Sequence, residues 1–219
     1  DGLDANITQN YFQKILLAFA PVYRPQDVYI NTLFGSLAQL DAGVTTVHDI
    51  SQIHHSPQHS DATIAALRAS DRRAVFGYFE SAGGVAGNQY PQDARRIRRQ
   101  YFSSSNQLLS MFMGGEIYLP GYEAAWQLGR ELGLPIACHI VGTFGMRPTF
   151  DALAVKDFGP DNLFIHVTGM SDYAWQRVKD TGAGVSLAVP IEMNMAHGTP
   201  PIIKAQQLGI RPSLSTDVE

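Results

Sequence analysis

Three short apolar runs each end in a side chain able to hold a divalent metal ion. Leu134-Pro-Ile-Ala-Cys-His139-Ile-Val delivers an imidazole just before the glycine-containing loop Gly142-Thr-Phe-Gly145. Asp161-Asn-Leu-Phe-Ile-His166-Val-Thr-Gly-Met repeats the design, and Arg211-Pro-Ser-Leu-Ser-Thr-Asp217 repeats it with a carboxylate in place of the imidazole. Imidazole and carboxylate are the usual ligands of zinc or ferrous iron, and a catalytic site leaves one position open for water. The ion lowers the pKa of that water toward neutrality, so the chemistry such a set supports is hydrolysis. A carboxylate beside the ion can take the water's remaining proton and pass it to the leaving group, a role that suits Asp217. His166 either completes the metal set or polarises the substrate. Spacing leaves these alternatives open, as it does one ion against two.

Weaker candidates surround this set. His54, His55 and His59 fall between an expected strand and an expected helix, on a polar stretch over 49–60 that could reach substrate or simply be solvated. Among them His54 is the substrate-binding candidate. Glu192 and His197 are expected on the loop after a later strand and are further substrate-binding candidates. His48 and Asp49 could line a pocket, although packing or helix capping explains them equally well. Glu116 could bridge two ions, yet a loop carboxylate exposed to water needs no functional explanation.

The elements that must position these residues follow from periodicity. Apolar residues at Tyr11, Phe12, Ile15, Leu16 and Phe19 predict a helix over 7–19, and Pro21 and Pro25 interrupt it. A second helix is expected from Pro25 to Asp41, with Val28, Leu33, Leu37 and Leu40 inward and Gly43 ending it. Strands are then expected over 44–48, 73–79, 108–113, 135–140, 163–167, 184–189 and 212–216. Helices are expected over 61–68, 91–101, 121–132, 150–157, 172–181 and 200–208, and a glycine-containing loop over 81–87. Strict alternation of this kind implies a parallel sheet covered by helices with right-handed connections. An open doubly wound sheet and a closed (β/α)8 TIM-type barrel both satisfy it. The barrel is preferred, because site-type residues recur at the C-terminal ends of several late strands, which in a barrel share one face. No Gly-x-Gly-x-x-Gly or P-loop opens a helix, which counts against nucleotide binding.

Composition sets the outer bounds. The 219 residues, 45% hydrophobic and 16% charged, suffice for one sizeable domain, expected to span residues 1–219. A net charge of −4 gives no electrostatic footprint for nucleic acid, and no apolar run is long enough to span a bilayer. The dense basic run Arg95, Arg96, Arg98 and Arg99 is expected to be a solvated helix face. A small-molecule substrate is therefore the default partner. The single cysteine, Cys138, excludes an internal disulfide framework and is expected to be a small buried filler. It fits a reducing compartment, and the expected location is cytoplasmic.

The run from Asp27 to Val47, Pro135-Ile-Ala-Cys-His139, Phe164-Ile-His166, His197-Gly-Thr-Pro200-Pro and Leu214-Ser-Thr-Asp217 together resemble the amidohydrolase superfamily. The branch they look most like is that of cytosine deaminase and the atrazine and triazine hydrolases. The resemblance implies a metal-dependent hydrolase acting on C–N bonds, on a (β/α)8 barrel. It places metal binding on His139 and Asp217, and metal, substrate or water contact on His166. It also suggests a homodimer. The family's first-strand His-x-His is absent from the sequence, so the chain is expected to be a piece of a longer one, incomplete at both ends, with that motif shortly before Asp1. Many deaminases of the branch carry His-x-x-Glu where this chain has His139-Ile-Val-Gly142, which favours an amide, a cyclic amide or a carbon–halogen-like centre over base deamination. A catalytically inert binding or structural β/α protein stays open as the second reading.

Overall fold

The computed structural model describes residues 8–81 and 87–218. The start of the expected first helix at Ile7 and the interior of the expected 81–87 loop lie outside them. The chain divides into two compact units, one made of residues 15–114 and 124–134, the other of residues to 14, 115–123 and 135 onward.

In the first of these units, β1 (Thr46–Ser51), β2 (Arg73–Tyr78) and β3 (Leu109–Met113) lie side by side in chain order. All are parallel, with Thr46 opposite Arg73 and Ala74 opposite Leu109. Parallel neighbours need a crossover, and the helices α3 (Pro57–Ala69) and α4 (Ala94–Tyr101) supply two of them. Ile64, Leu67, Phe76, Tyr78, Ile97 and Trp126 are fully buried there. Phe76 stacks on Phe102 with ring centroids 6.1 Å apart.

Two sequence expectations shift in this unit. β1 runs to Ser51 and α3 begins at Pro57, so the stretch expected as a loop over 49–60 shrinks to a short connection, and His59 sits in the first turn of a helix. The helix α2 (Pro25–Asp41) has the expected bounds but buries a different stripe. Val28 and Ser36 are buried, whereas Leu37 and Leu40 are 47% and 36% exposed. The reason is polar. The Arg72 guanidinium donates to Ser36 Oγ, to Gln39 Oε1 at 2.6 Å and to the Val44 carbonyl, which turns the 28–36–39 side of α2 inward.

The other unit holds the short α1 (Thr8–Asn10), which continues as a π-helix to Phe19 whose first residues to Lys14 belong here. It also holds β4 (Ile136–Val141), β5 (Asn162–Thr168), β6 (Gly184–Leu187) and β7 (Ser213–Leu214), again parallel and in chain order. The helix α5 (Tyr122–Glu131), which from residue 124 belongs to the first unit, precedes β4 in the chain, and α6 (Arg147–Ala152) follows β4. α7 (Asp172–Thr181) follows β5, capped by Ser171, whose Oγ accepts from the Ala174 N–H, and closed by Gly182 at φ 72°. After β6 come two helices, α8 (Val189–Asn194) and α9 (Ile202–Gln207), where a single helix was expected. The rings of Phe150, Phe158 and Phe164 pack within 5.2 Å of one another, and Arg177 covers Phe158.

Candidate functional site

The four strands β4 to β7 carry His139 near the end of β4, His166 near the end of β5, and Asp217 just past β7. The structure brings these three predicted residues together. His139 and His166 have ring centroids 5.6 Å apart, and His166 Nε2 lies 3.4 Å from Asp217 Oδ2.

The backbone is strained at this point. Register is regular until Ile140 pairs with His166, after which Val141 pairs with Thr168, so Val167 is an extra residue. His166 and Val167 both take positive φ, 71° and 52°, and Asp217 takes 63°. Left-handed backbone costs of order 1–3 kcal/mol at a non-glycine residue, and most at a β-branched one such as Val167. A bulge of this kind re-aims a side chain at a strand end.

Carboxylates brace both histidines from behind. Glu116 is buried, with Oε1 2.5 Å from His139 Nδ1 and Oε2 accepting from the His139 main-chain N–H at 3.1 Å. The expectation of an exposed loop carboxylate is thus corrected. Glu192, expected on a loop, stands in the first turn of α8 and is also fully buried. Its Oε1 lies 3.2 Å from His166 Nδ1 and accepts from the Ala188 N–H at 2.9 Å. Among the described residues its Oε2 has no hydrogen-bond partner.

His197 packs edge-on against His166, centroids 4.9 Å apart, and its buried Nδ1 has no hydrogen-bond partner among the described residues. Its main-chain carbonyl accepts from Thr168 Oγ1 at 2.7 Å. Burial, with His166 and His139 beside it, pushes its imidazole down to about 4. Phe144 adjoins His197, and Phe12 adjoins Phe144. Burial and the neighbouring Asp217 raise the Tyr11 phenol well above its usual range.

The loop after β4 explains the missing His-x-x-Glu. A Cβ at Gly142 would stand 2.6 Å from the Thr168 carbonyl oxygen and 2.9 Å from Gly169 Cα. Only a glycine admits this approach.

The other predicted histidines lie in the first unit. Both ring nitrogens of His54 are engaged, Nδ1 with Ser60 Oγ and Nε2 with the Ser51 carbonyl, each at 2.8 Å. A carbonyl only accepts, so Nε2 carries the proton. Burial pushes this imidazole down to about 3. The expected substrate contact through His54 has no ring nitrogen left to make it. His55 and His59 repeat the pattern, donating from Nε2 to the Ala20 and Tyr23 carbonyls and pairing Nδ1 with Ser81 and Ser56. His48 lies inside β1, its ring against Phe112.

In kind, the donor set fits a divalent ion, with imidazoles braced at Nδ1 and an adjacent carboxylate. Among the described residues no group of three is gathered at metal-holding distance. Sequence reasoning weighed Glu116 without seeing its role, because no local pattern marks a carboxylate that reaches His139 from 23 residues away.

No family model matches the chain. It is 25% identical over 208 residues to a curated 5'-deoxyadenosine deaminase of Methanosarcina mazei, covering 88% of this chain and 47% of that protein. In fold it is similar to an adenosine deaminase of Xanthomonas campestris with bound zinc (TM-score 0.78, 16% identity), covering 96% of this chain and 50% of that one. It is likewise similar to the zinc complex of atrazine chlorohydrolase from Arthrobacter aurescens (TM-score 0.77, 14% identity), over 96% of this chain and 55% of that one. An E. coli guanine deaminase matches at TM-score 0.68 and 17% identity, over 95% of this chain and 53% of that one. The fold is that of a stretch of a (β/α)8 barrel, and the chain spans about half the length of these relatives. By name they are deaminases and a chlorohydrolase, in keeping with the resemblance drawn from the sequence motifs.

Proposed function

We propose that this chain is part of an amidohydrolase-superfamily enzyme, a metal-dependent hydrolase that cleaves a C–N bond at an sp² carbon of an amide, cyclic amide or amino-heterocycle. The observation that carries the reading is the meeting of His139, His166 and Asp217 at three strand ends, on backbone strained at two of the three. Bound there, a divalent ion of the kind held by the zinc-containing neighbours would make water nucleophilic near neutral pH. His139 and Asp217 are the residues to hold it.

The rest of the work falls to this chain's own side chains. Asp217 Oδ2 takes a proton from the attacking water and returns it to the leaving nitrogen. His166, gripped at Nδ1 by Glu192, orients the reacting group with Nε2 or completes the metal set. A side chain at Gly142 would meet the Thr168 carbonyl, and the acid–base role is assigned instead to the Asp217 carboxylate beside His166. Glu192 and His197 line the reacting end behind His166, while Phe144, 38% exposed, offers a flat surface nearer solvent.

The test is ammonia or amine release from a panel of amides and amino-heterocycles. Asp217→Asn is expected to lower turnover by about 10²–10⁴-fold with the melting temperature nearly unchanged. Turnover within about twofold of the parent removes Asp217 from the mechanism. A parent protein silent on every substrate, and without bound zinc or iron, would favour the inert binding protein.

A further inference from the structure

Glu116 has no part in the chemistry above, yet it is among the most completely buried charged side chains described. Two groups of His139 meet its carboxylate, the ring Nδ1 at 2.5 Å and the main-chain N–H at 3.1 Å, and Cys138 Sγ lies 3.8 Å from it while also 3.4 Å from the His139 carbonyl. One group therefore holds both the ring and the main chain of His139. The ring keeps 20% side-chain exposure against 1% for Glu116, so the carboxylate braces the ring from its buried side.

We propose that Glu116 is a positioning residue, which fixes His139 as the Nδ1–H tautomer and so leaves Nε2 as the unprotonated ring nitrogen. With Glu116 accepting at the short contact, as it does from the His139 main-chain N–H, the proton lies on Nδ1. A neutral imidazole carries one proton, and placing it on Nδ1 leaves Nε2 unprotonated. Carboxylates that grip the far nitrogen of a histidine orient it and strengthen it as a ligand. Both oxygens of Glu116 are already engaged by donors of β4, which sets it apart from a carboxylate available to bridge two ions. The consequence for metal affinity rests on the reading of His139 as a ligand; the tautomer itself does not.

Nitrogen NMR of the imidazoles in the metal-free protein tests this, with the His139 signals assigned by their loss in His139→Asn. The parent is expected to show a protonated Nδ1 and an unprotonated Nε2. In Glu116→Gln the amide group presents an N–H toward Nδ1, and the ring is expected to shift toward the Nε2–H form. Zinc affinity, measured by competition with a chelator, should fall about 10–100-fold in Glu116→Gln and recover in part in Glu116→Asp. An Nε2–H ring in the parent overturns the proposal whether or not the variant folds. So does a folded Glu116→Gln with the parent tautomer and zinc affinity within about twofold. An Nδ1–H ring in the parent, lost in Glu116→Gln, combined with undiminished zinc affinity in His139→Asn upholds Glu116 as the positioning residue and sinks the metal reading instead.

Discussion

Three histidines in one unit, His54, His55 and His59, and three in the other, His139, His166 and His197, are held in opposite ways, while His48 lies within β1. His54, His55 and His59 are each saturated by uncharged partners, a serine hydroxyl on Nδ1 and a main-chain carbonyl on Nε2. Such rings work as neutral struts: they tie Ala20, Tyr23 and Ser51 to the segment that opens α3, and charging them would bring like charges together. His139 and His166 are faced instead by Glu116, Glu192 and Asp217, and Nδ1 of His197 beside them has no hydrogen-bond partner among the described residues. Carboxyl partners and strained backbone are what the proposed function calls on at these rings. Histidine at a strand end thus carries no single meaning, and the partner on each ring nitrogen decides between strut and reagent.

That contrast breaks most sharply under paired substitution. His166→Asn should lower turnover by about 10²–10⁴-fold in protein that still folds. His54→Ala should do the reverse, costing about 3 kcal/mol in urea unfolding because Ser60 Oγ and the Ser51 carbonyl lose a buried partner beside a new cavity. Equal effects of the two on turnover would erase the distinction.

Acidification offers a gentler probe of the same difference. An unfolded histidine protonates near 6.5, whereas folded His54 resists until about 3. Between those values the unfolded chain binds a proton that the native state refuses, so stability falls as pH drops from 6.5 toward 3. The contribution is about 1.4 kcal/mol per pH unit at most. Compared with the parent, His54→Gln should show a shallower loss of stability over that window. Identical slopes would mean that His54 is not the neutral strut described here.

The smallest effect belongs to a pair of charges outside either histidine set. Arg95 and Glu131 meet at 2.7 Å, but both are well exposed. Arg95→Ala should change unfolding free energy by less than about 1 kcal/mol. A larger loss would show that surface charge matters more to this protein than the buried imidazoles suggest.

Legibility in the sequence followed range of interaction. Apolar runs closed by His139, His166 and Asp217 are local signals, and they located the strand ends that meet. The bounds of α2, with Pro25 at its first position, were equally local. Its buried stripe was not, because Arg72 selects it from a distance by binding Ser36 and Gln39. α8 escaped notice because Val189-Pro-Ile-Glu-Met-Asn is too short for a period to emerge, so Glu192 was placed on a loop. Glu116 differs from any other carboxylate only in the fold that brings it to His139, and the bulge at Val167 leaves no mark in composition.

The contact between Gly142 and Gly169 bounds what can be built on this scaffold. A designer seeking base deamination would naturally transplant the His-x-x-Glu of related enzymes by exchanging one residue, Gly142. That graft is sterically closed, since its first side-chain carbon would collide with the Thr168 carbonyl, and opening space would push on the bulge that aims His166. New acid–base function is better sought at the exposed Thr143 and Phe144 of the same turn, at the expense of the Thr143 hydroxyl's bonds to the Ala196 and His197 carbonyls and of the Phe144 contact with His197.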